Sequence, residues 1–183
     1  MNVLINKKRA TASALQRALR AATRIEQMTF DRILLRFDFA RREDYGLYLN
    51  VHRAALESLR SDWRPEDLND FSAMVQCIES DLQTLDLTTS SLKPRFRPSF
   101  TVPGRLGLSY VVRGSRLNVS LLRQRVLSQF ATSYLDFVPA ISWMLFQTQL
   151  DTFSGEPGSD IHIIQGAKAA ARAFLDVLSQ AIA

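Results

Sequence analysis

The chain has 183 residues, 46% of them hydrophobic, and is long enough to bury one substantial core without disulfide or metal support. Its single cysteine, Cys77, rules out an intramolecular disulfide and fits a reducing cytoplasm. The net charge is +5, and because only Lys7, Lys8, Lys93 and Lys168 are lysines, 19 of the 23 basic residues are arginines, which suit planar anions such as carboxylates and phosphates.

Residues 1–12 read as a polar, basic tail with no secretory signal, and residues 13–183 as one domain. The first helix opens at Thr11 or Ser13 and runs to about Leu35. Its period places Arg20, Arg24, Gln27 and Asp31 on one face and Leu15, Ala18, Ala22, Ile25 and Ile33 on the apolar side. After a turn over residues 37–41, Tyr45, Tyr48, Leu49, His52, Leu56 and Leu59 mark a second helix. His52 lies within that apolar stripe without partner ligands at metal-site spacing, so it is expected to be a packed, hydrogen-bonded core residue. Pro65 fits the first turn of a third helix, whose buried face is expected to run through Leu68, Phe71, Met74 or Val75, Ile78, Leu82 and Leu85.

Residues 86–103 contain Pro94, Pro98 and Pro103 and lack helical period, which predicts a long surface connection. Its KPRFRP core, Lys93 to Pro98, is an exposed basic element with the chemistry to meet an acidic partner. Helical pattern resumes at Gly104 and is expected to hold through Val126, although Gly104, Gly107 and Gly114 stand where ordinary helices avoid glycine. A short segment follows near Phe130 to Leu135, then a helix with Trp143, Phe146 and Leu150 in the core. After the SGEPGS break, residues 154–159, a last helix spans about Asp160 to Ile182 with its stripe through Ile164, Ala167, Ala171, Phe174, Leu175 and Leu178. His162, near its start, reads as a surface or capping residue. The longest apolar run, Val138 to Phe146, is interrupted by Pro139 and Ser142 and falls short of the roughly 18 residues that span a bilayer. The arginines are dispersed and no recognition motif accompanies them, so no nucleic-acid partner is expected. With no repeat and no sustained strand alternation, the pattern predicts an all-α single domain.

Leu19 to Gln27, LRAATRIEQ, resembles the proximal helix of haem oxygenases, L-[KR]-x-A-T-[KR]-x-x-H, with Gln27 where the family has its axial histidine. Gly107 to Val119, GLSYVVRGSRLNV, resembles the distal helix of the bacterial, bacteriophytochrome-associated branch, G-x-x-Y-V-x-x-G-S-x-L-G-G, with Asn118 and Val119 replacing its glycine pair. Asp81 to Leu85 is similar to the family's D-L-x-x-L. The resemblance implies a haem-oxygenase-like fold in which these two helices face each other across a tetrapyrrole-sized cleft. It implies haem or another tetrapyrrole as ligand, with Arg20 and Arg24 toward its carboxylates and Gln27 at the axial position. Tyr110, Gly114, Ser115, Asn118 and Val119 would form the distal side, and Lys168 and Arg172 match basic positions of the final helix. A bacteriophytochrome or a redox partner is the implied protein partner. The family cleaves haem oxidatively to biliverdin, but an amide at the axial position is a hard, weak ligand for ferrous iron. The departures therefore point to a degenerate tetrapyrrole-binding or regulatory module. The alternatives are an active haem oxygenase with another axial ligand, His52, His162 or an external one, and a non-binding helical interaction protein.

Overall fold

A computed structural model describes residues 13–153 and 158–183, so the basic tail, the Thr11 start and most of the SGEPGS break lie outside the described residues. The elements are α1 (Ala14–Leu34), α2 (Arg42–Ser58), α3 (Leu68–Thr84), α4 (Val102–Gly114), α5 (Val119–Arg123), α6 (Ser133–Asp136), α7 (Trp143–Phe153) and α8 (Ser159–Ala181). The architecture is all-helical, with no strand among the described residues.

Helix ends follow local chemistry. Ser13 caps α1 by accepting a hydrogen bond from Gln16 N at 3.2 Å. Thr101 caps α4 by accepting from Gly104 N at 3.1 Å, so Pro103 stands in the first turn of that helix and not in the preceding connection. Pro65 opens a 3-10 turn that runs directly into α3. At the far end of α3, Asp86 takes φ +53°, and Leu87 N and Asp86 N donate to Leu82 O and Gln83 O. This is the paired-bond stop usually made with glycine. It turns Leu87 back onto α2 at Gly46, where an added Cβ would lie 2.1 Å from Leu87 Cδ1.

The core is organised around α8, which packs against α4, α1 and α2, while α3 joins α2 and α6. Small residues make that central position feasible. Gly166, Ala167, Ala170, Ala171 and Ala173 are all buried on α8, and α4 meets them with its own glycines. A Cβ on Gly107 would fall 1.9 Å from Ile163 O, and one on Gly166 would fall 2.0 Å from Gly104 O. The two helices thus touch backbone to backbone, which is the reason for Gly104 and Gly107. α4 is buried from Leu106 to Arg113 without a break.

Four expectations require correction. Leu68, expected on the buried face of the third helix, is 44% exposed, and the burial of α3 begins at Asp70 and Phe71. The helix expected to run to Val126 is interrupted, because α4 ends at Gly114 and turns occupy residues 115–118 before α5. The buried stripe of α1 runs through Leu15, Leu19, Thr23 and Leu34, whereas Ile25 is 77% exposed; threonine enters the stripe because its hydroxyl is satisfied by Leu19 O at 3.0 Å. On α8 the stripe is centred on Ile163, Ala170 and Val177, leaving Ile164 and Leu175 half-buried at its edge. No helix among the described residues is long and apolar enough to cross a membrane.

Candidate functional site

The α1 flank carrying Arg20, Arg24 and Gln27 is exposed along its length. Because the buried stripe is centred on Leu19 and Thr23, these three side chains lie to one side of it rather than opposite. Arg20 reaches the Tyr110 hydroxyl on α4; burial raises the Tyr110 pKa, and the neighbouring guanidinium partly offsets that rise. Tyr110 also packs on Trp143 of α7, with ring centroids 5.5 Å apart. Trp143 in turn covers Gly114, since a Cβ there would sit 3.7 Å from the indole ring. Arg20, Tyr110, Trp143 and Gly114 therefore form one chain of contacts where α1, α4 and α7 meet, with Tyr110 itself buried at 7% exposure and Trp143 and Gly114 half-buried. Trp143, whose helical spacing suggests only a core aromatic, is the residue that completes it.

The other expected positions are distributed around this junction. Ser115 is half-buried and its hydroxyl donates to Val112 O at 2.8 Å. Asn118 is exposed in the turn between α4 and α5, and its carbonyl accepts from Leu121 N and Leu122 N. Val119 is packed into the core at 5% exposure. On α8, Arg172 pairs with Glu26 of α1 at 3.3 Å, linking the two helices at their surface, whereas Lys168 is exposed without an ion-pair partner among the described residues. Arg24 likewise has no hydrogen-bond or ion-pair partner among them, and Gln27 presents an exposed amide.

Neither histidine stands at this junction. His52 is 3% exposed, is hydrogen-bonded through Nδ1 to the Tyr134 hydroxyl at 2.8 Å, and is enclosed by the rings of Phe30, Tyr48, Tyr134 and Phe174. Burial pushes its pKa down to about 3, and nearby Arg116 acts in the same direction, so the ring is neutral. This is the core histidine expected from its stripe. His162 is exposed in the first turn of α8, beside Gly104 at the opposite end of α4 from Gly114. Ten residues of helix put the two ends of α4 roughly 15 Å apart. No group of three or more His, Cys, Asp or Glu side chains among the described residues is arranged to hold a metal ion. The side chains beside Arg20 offer guanidinium, phenol and amide groups, and neither histidine is among them.

Behind the junction lies a buried ionic centre that no local sequence signal marks. Arg113 of α4, 4% exposed, binds Asp67 at 2.6 Å and Asp70 at 2.9 Å, and donates to Ile141 O at 3.0 Å. Asp67 also receives Arg64 Nε at 2.8 Å and the Ser109 hydroxyl. Burial works to raise the Asp67 pKa, but the hydrogen bonds from Arg64, Ser109 and Arg113 outweigh it and hold the carboxyl below its usual value. Asp70 accepts from Ala140 N at 2.8 Å and so fixes the approach to α7. Asp81, fully buried, caps α6 by accepting from Ser133 N and Tyr134 N, both at 2.9 Å, which gives the DLQTL segment a structural task. No protein-family model matches the chain, and no curated protein matches it.

Proposed function

We propose that the chain is a haem-oxygenase-like module that binds a tetrapyrrole by its carboxylates without ligating iron and without turning haem over. The observation that carries the reading is the exposed Arg20, Arg24 and Gln27 row beside Tyr110, with both histidines elsewhere. A guanidinium meets a carboxylate with two parallel N–H donors, and two such groups one helical turn apart match a ligand bearing two acidic arms. The exposed amide of Gln27 adds donors and an acceptor at the same surface but no imidazole. The burial of His52 argues against the alternative in which that residue serves as axial ligand, because its Nδ1 is engaged and its other ring nitrogen faces packed side chains. Absorbance titrations with biliverdin and metal-free porphyrin test the reading. Arg20→Ala with Arg24→Ala should weaken binding by roughly tenfold or more, the scale of a single charge-assisted hydrogen bond. An unchanged affinity would remove these arginines from the site.

A further inference from the structure

A second, separate feature is a cavity of about 810 Å³ between the C-terminal half of α2 and the connection that follows α3. None of the residues of the α1 flank or of the buried ionic centre lines it, whereas the basic KPRFRP segment does. One wall carries Arg53 and Arg60 of the α2 end and the turn after it; the other carries Lys93, Phe96 and Arg97. Among the described residues the only acidic lining residue is Glu57, which binds Arg60 at 2.9 Å, and Arg53 is held by Glu79 at 2.8 Å. Lys93 and Arg97 have no ion-pair partner among the described residues, and Phe96 beside them is 40% exposed. The cavity is thus cationic, with two unsatisfied charges flanking an exposed aromatic ring.

The wall is built. Long connections without secondary structure are usually either functional or disordered, and this one is tied down along its length. Asn50 accepts from Ser90 N at 2.6 Å and donates to Thr88 O at 3.2 Å. Asp176 of α8 accepts from Arg95 N, Gln180 donates to Lys93 O at 2.9 Å, and Pro98 is buried. These ties engage the backbone on both sides of Lys93 and Phe96 and leave their side chains to the cavity.

We propose that this cavity docks an acidic peptide segment of a partner protein, in which carboxylates alternate with apolar side chains. Lys93 and Arg97 are four residues apart, hence separated by at most roughly 14 Å of chain. The chain bends at Arg95 and Phe96 between these two cations, and their order, one on each side of Phe96, pairs with two carboxylates on either side of an apolar residue. Phe96 between them supplies apolar contact for the intervening side chain, and Glu57 and Glu79 already neutralise the two arginines of the opposite wall, so the attraction is concentrated on the loop.

The test is fluorescence polarisation with a short labelled peptide of alternating glutamate and leucine, its glutamine counterpart, and pyrophosphate as competitor. The glutamate peptide should bind in a salt-sensitive manner, and Lys93→Ala with Arg97→Ala should weaken it by about tenfold or more. Phe96→Ala should weaken it by a smaller factor. Arg32→Ala with Arg36→Ala removes the same charge from an exposed part of α1 and the turn after it, and should leave binding nearly unchanged. Circular dichroism establishes that each variant is folded. The proposal is overturned if the glutamate peptide does not bind or the glutamine peptide binds equally well. It is also overturned if the two double variants lose affinity alike, which would indicate net charge alone, or if pyrophosphate displaces the peptide at comparable concentration, which would make the cavity a small-anion site.

Discussion

The buried centre between α3 and α4 and the outer flank of α1 hold the same kinds of side chain in opposite conditions. In the centre, Arg113 commits its donors to Asp67, Asp70 and a backbone carbonyl, and the carboxylates are filled by Arg64, Ser109 and backbone amides. On the flank, Arg24 has no partner among the described residues and Arg20 meets only a tyrosine hydroxyl. The contrast teaches that strong internal electrostatics here belongs to the scaffold. The groups free to meet a ligand are those the fold has not consumed. Arginine richness is accordingly an ambiguous signal: half-buried Arg116 stacks over Tyr134 at 4.6 Å and exposed Arg125 over Phe39 at 4.6 Å, so both are engaged by the fold.

The largest expected effect comes from breaking the centre. Arg113→Met leaves Asp67 and Asp70 buried without their shared cation, and should cost about 3 to 5 kcal/mol in urea unfolding. A loss below about 1 kcal/mol would mean that the centre is not the scaffold described. Next is the seam between α4 and α8. Gly107→Ala drives a methyl into the Ile163 carbonyl and should destabilise by about 1 to 3 kcal/mol. Gly114→Ala, whose methyl would meet only the Trp143 ring at ordinary packing distance, should stay within about 0.5 kcal/mol. Equal effects at the two glycines would contradict the backbone contact.

The pH dependence of stability adds a further contrast. His52 takes a proton near pH 6.5 when unfolded but only near pH 3 when folded, so between these values the unfolded state binds more protons and stability falls as pH falls. The slope from this group approaches about 1.4 kcal/mol per pH unit. Urea midpoints at pH 7 and pH 5 should therefore separate more widely for the wild type than for His52→Gln; parallel shifts would show that His52 is not held neutral. Asp67, its pKa depressed, contributes stability that is complete above the ordinary carboxylate range and is lost only as pH falls through its lower folded value. It does not confuse the comparison at pH 5. The smallest effect on stability is expected of Arg20→Ala with Arg24→Ala, within about 0.5 kcal/mol for exposed side chains of this kind, whereas the proposed function expects them to weaken ligand binding strongly.

How much the sequence reveals follows from how local each signal is. The helices of Leu15 to Leu34, Tyr45 to Leu56 and Phe71 to Leu82 are legible because a 3.6-residue period is written in neighbouring residues. The connection after α3 is legible from its prolines. Gly104 and Gly107 are recognisable as glycines requiring a reason, but the reason lies in Gly166 and the alanines of α8, some sixty residues away. The pairing of Arg113 with Asp67 and Asp70 has no local trace, because buried charges announce themselves only through partners brought together by the fold. On the candidate site, the exposed face of Arg20, Arg24 and Gln27 is legible from period alone. The link to Tyr110 and the Trp143 cover over Gly114 depend on how α1 and α7 settle against α4.

The most direct test of tetrapyrrole binding without turnover is a haem titration of the wild type and Gln27→His, followed at the Soret band, with biliverdin formation monitored in the presence of an electron donor. The wild type should take up haem without a histidine-ligated spectrum and form no biliverdin, and Gln27→His should acquire histidine ligation on a face already carrying Arg20 and Arg24. A histidine-ligated spectrum together with biliverdin production by the wild type would contradict the proposed function and return the chain to the oxygenases.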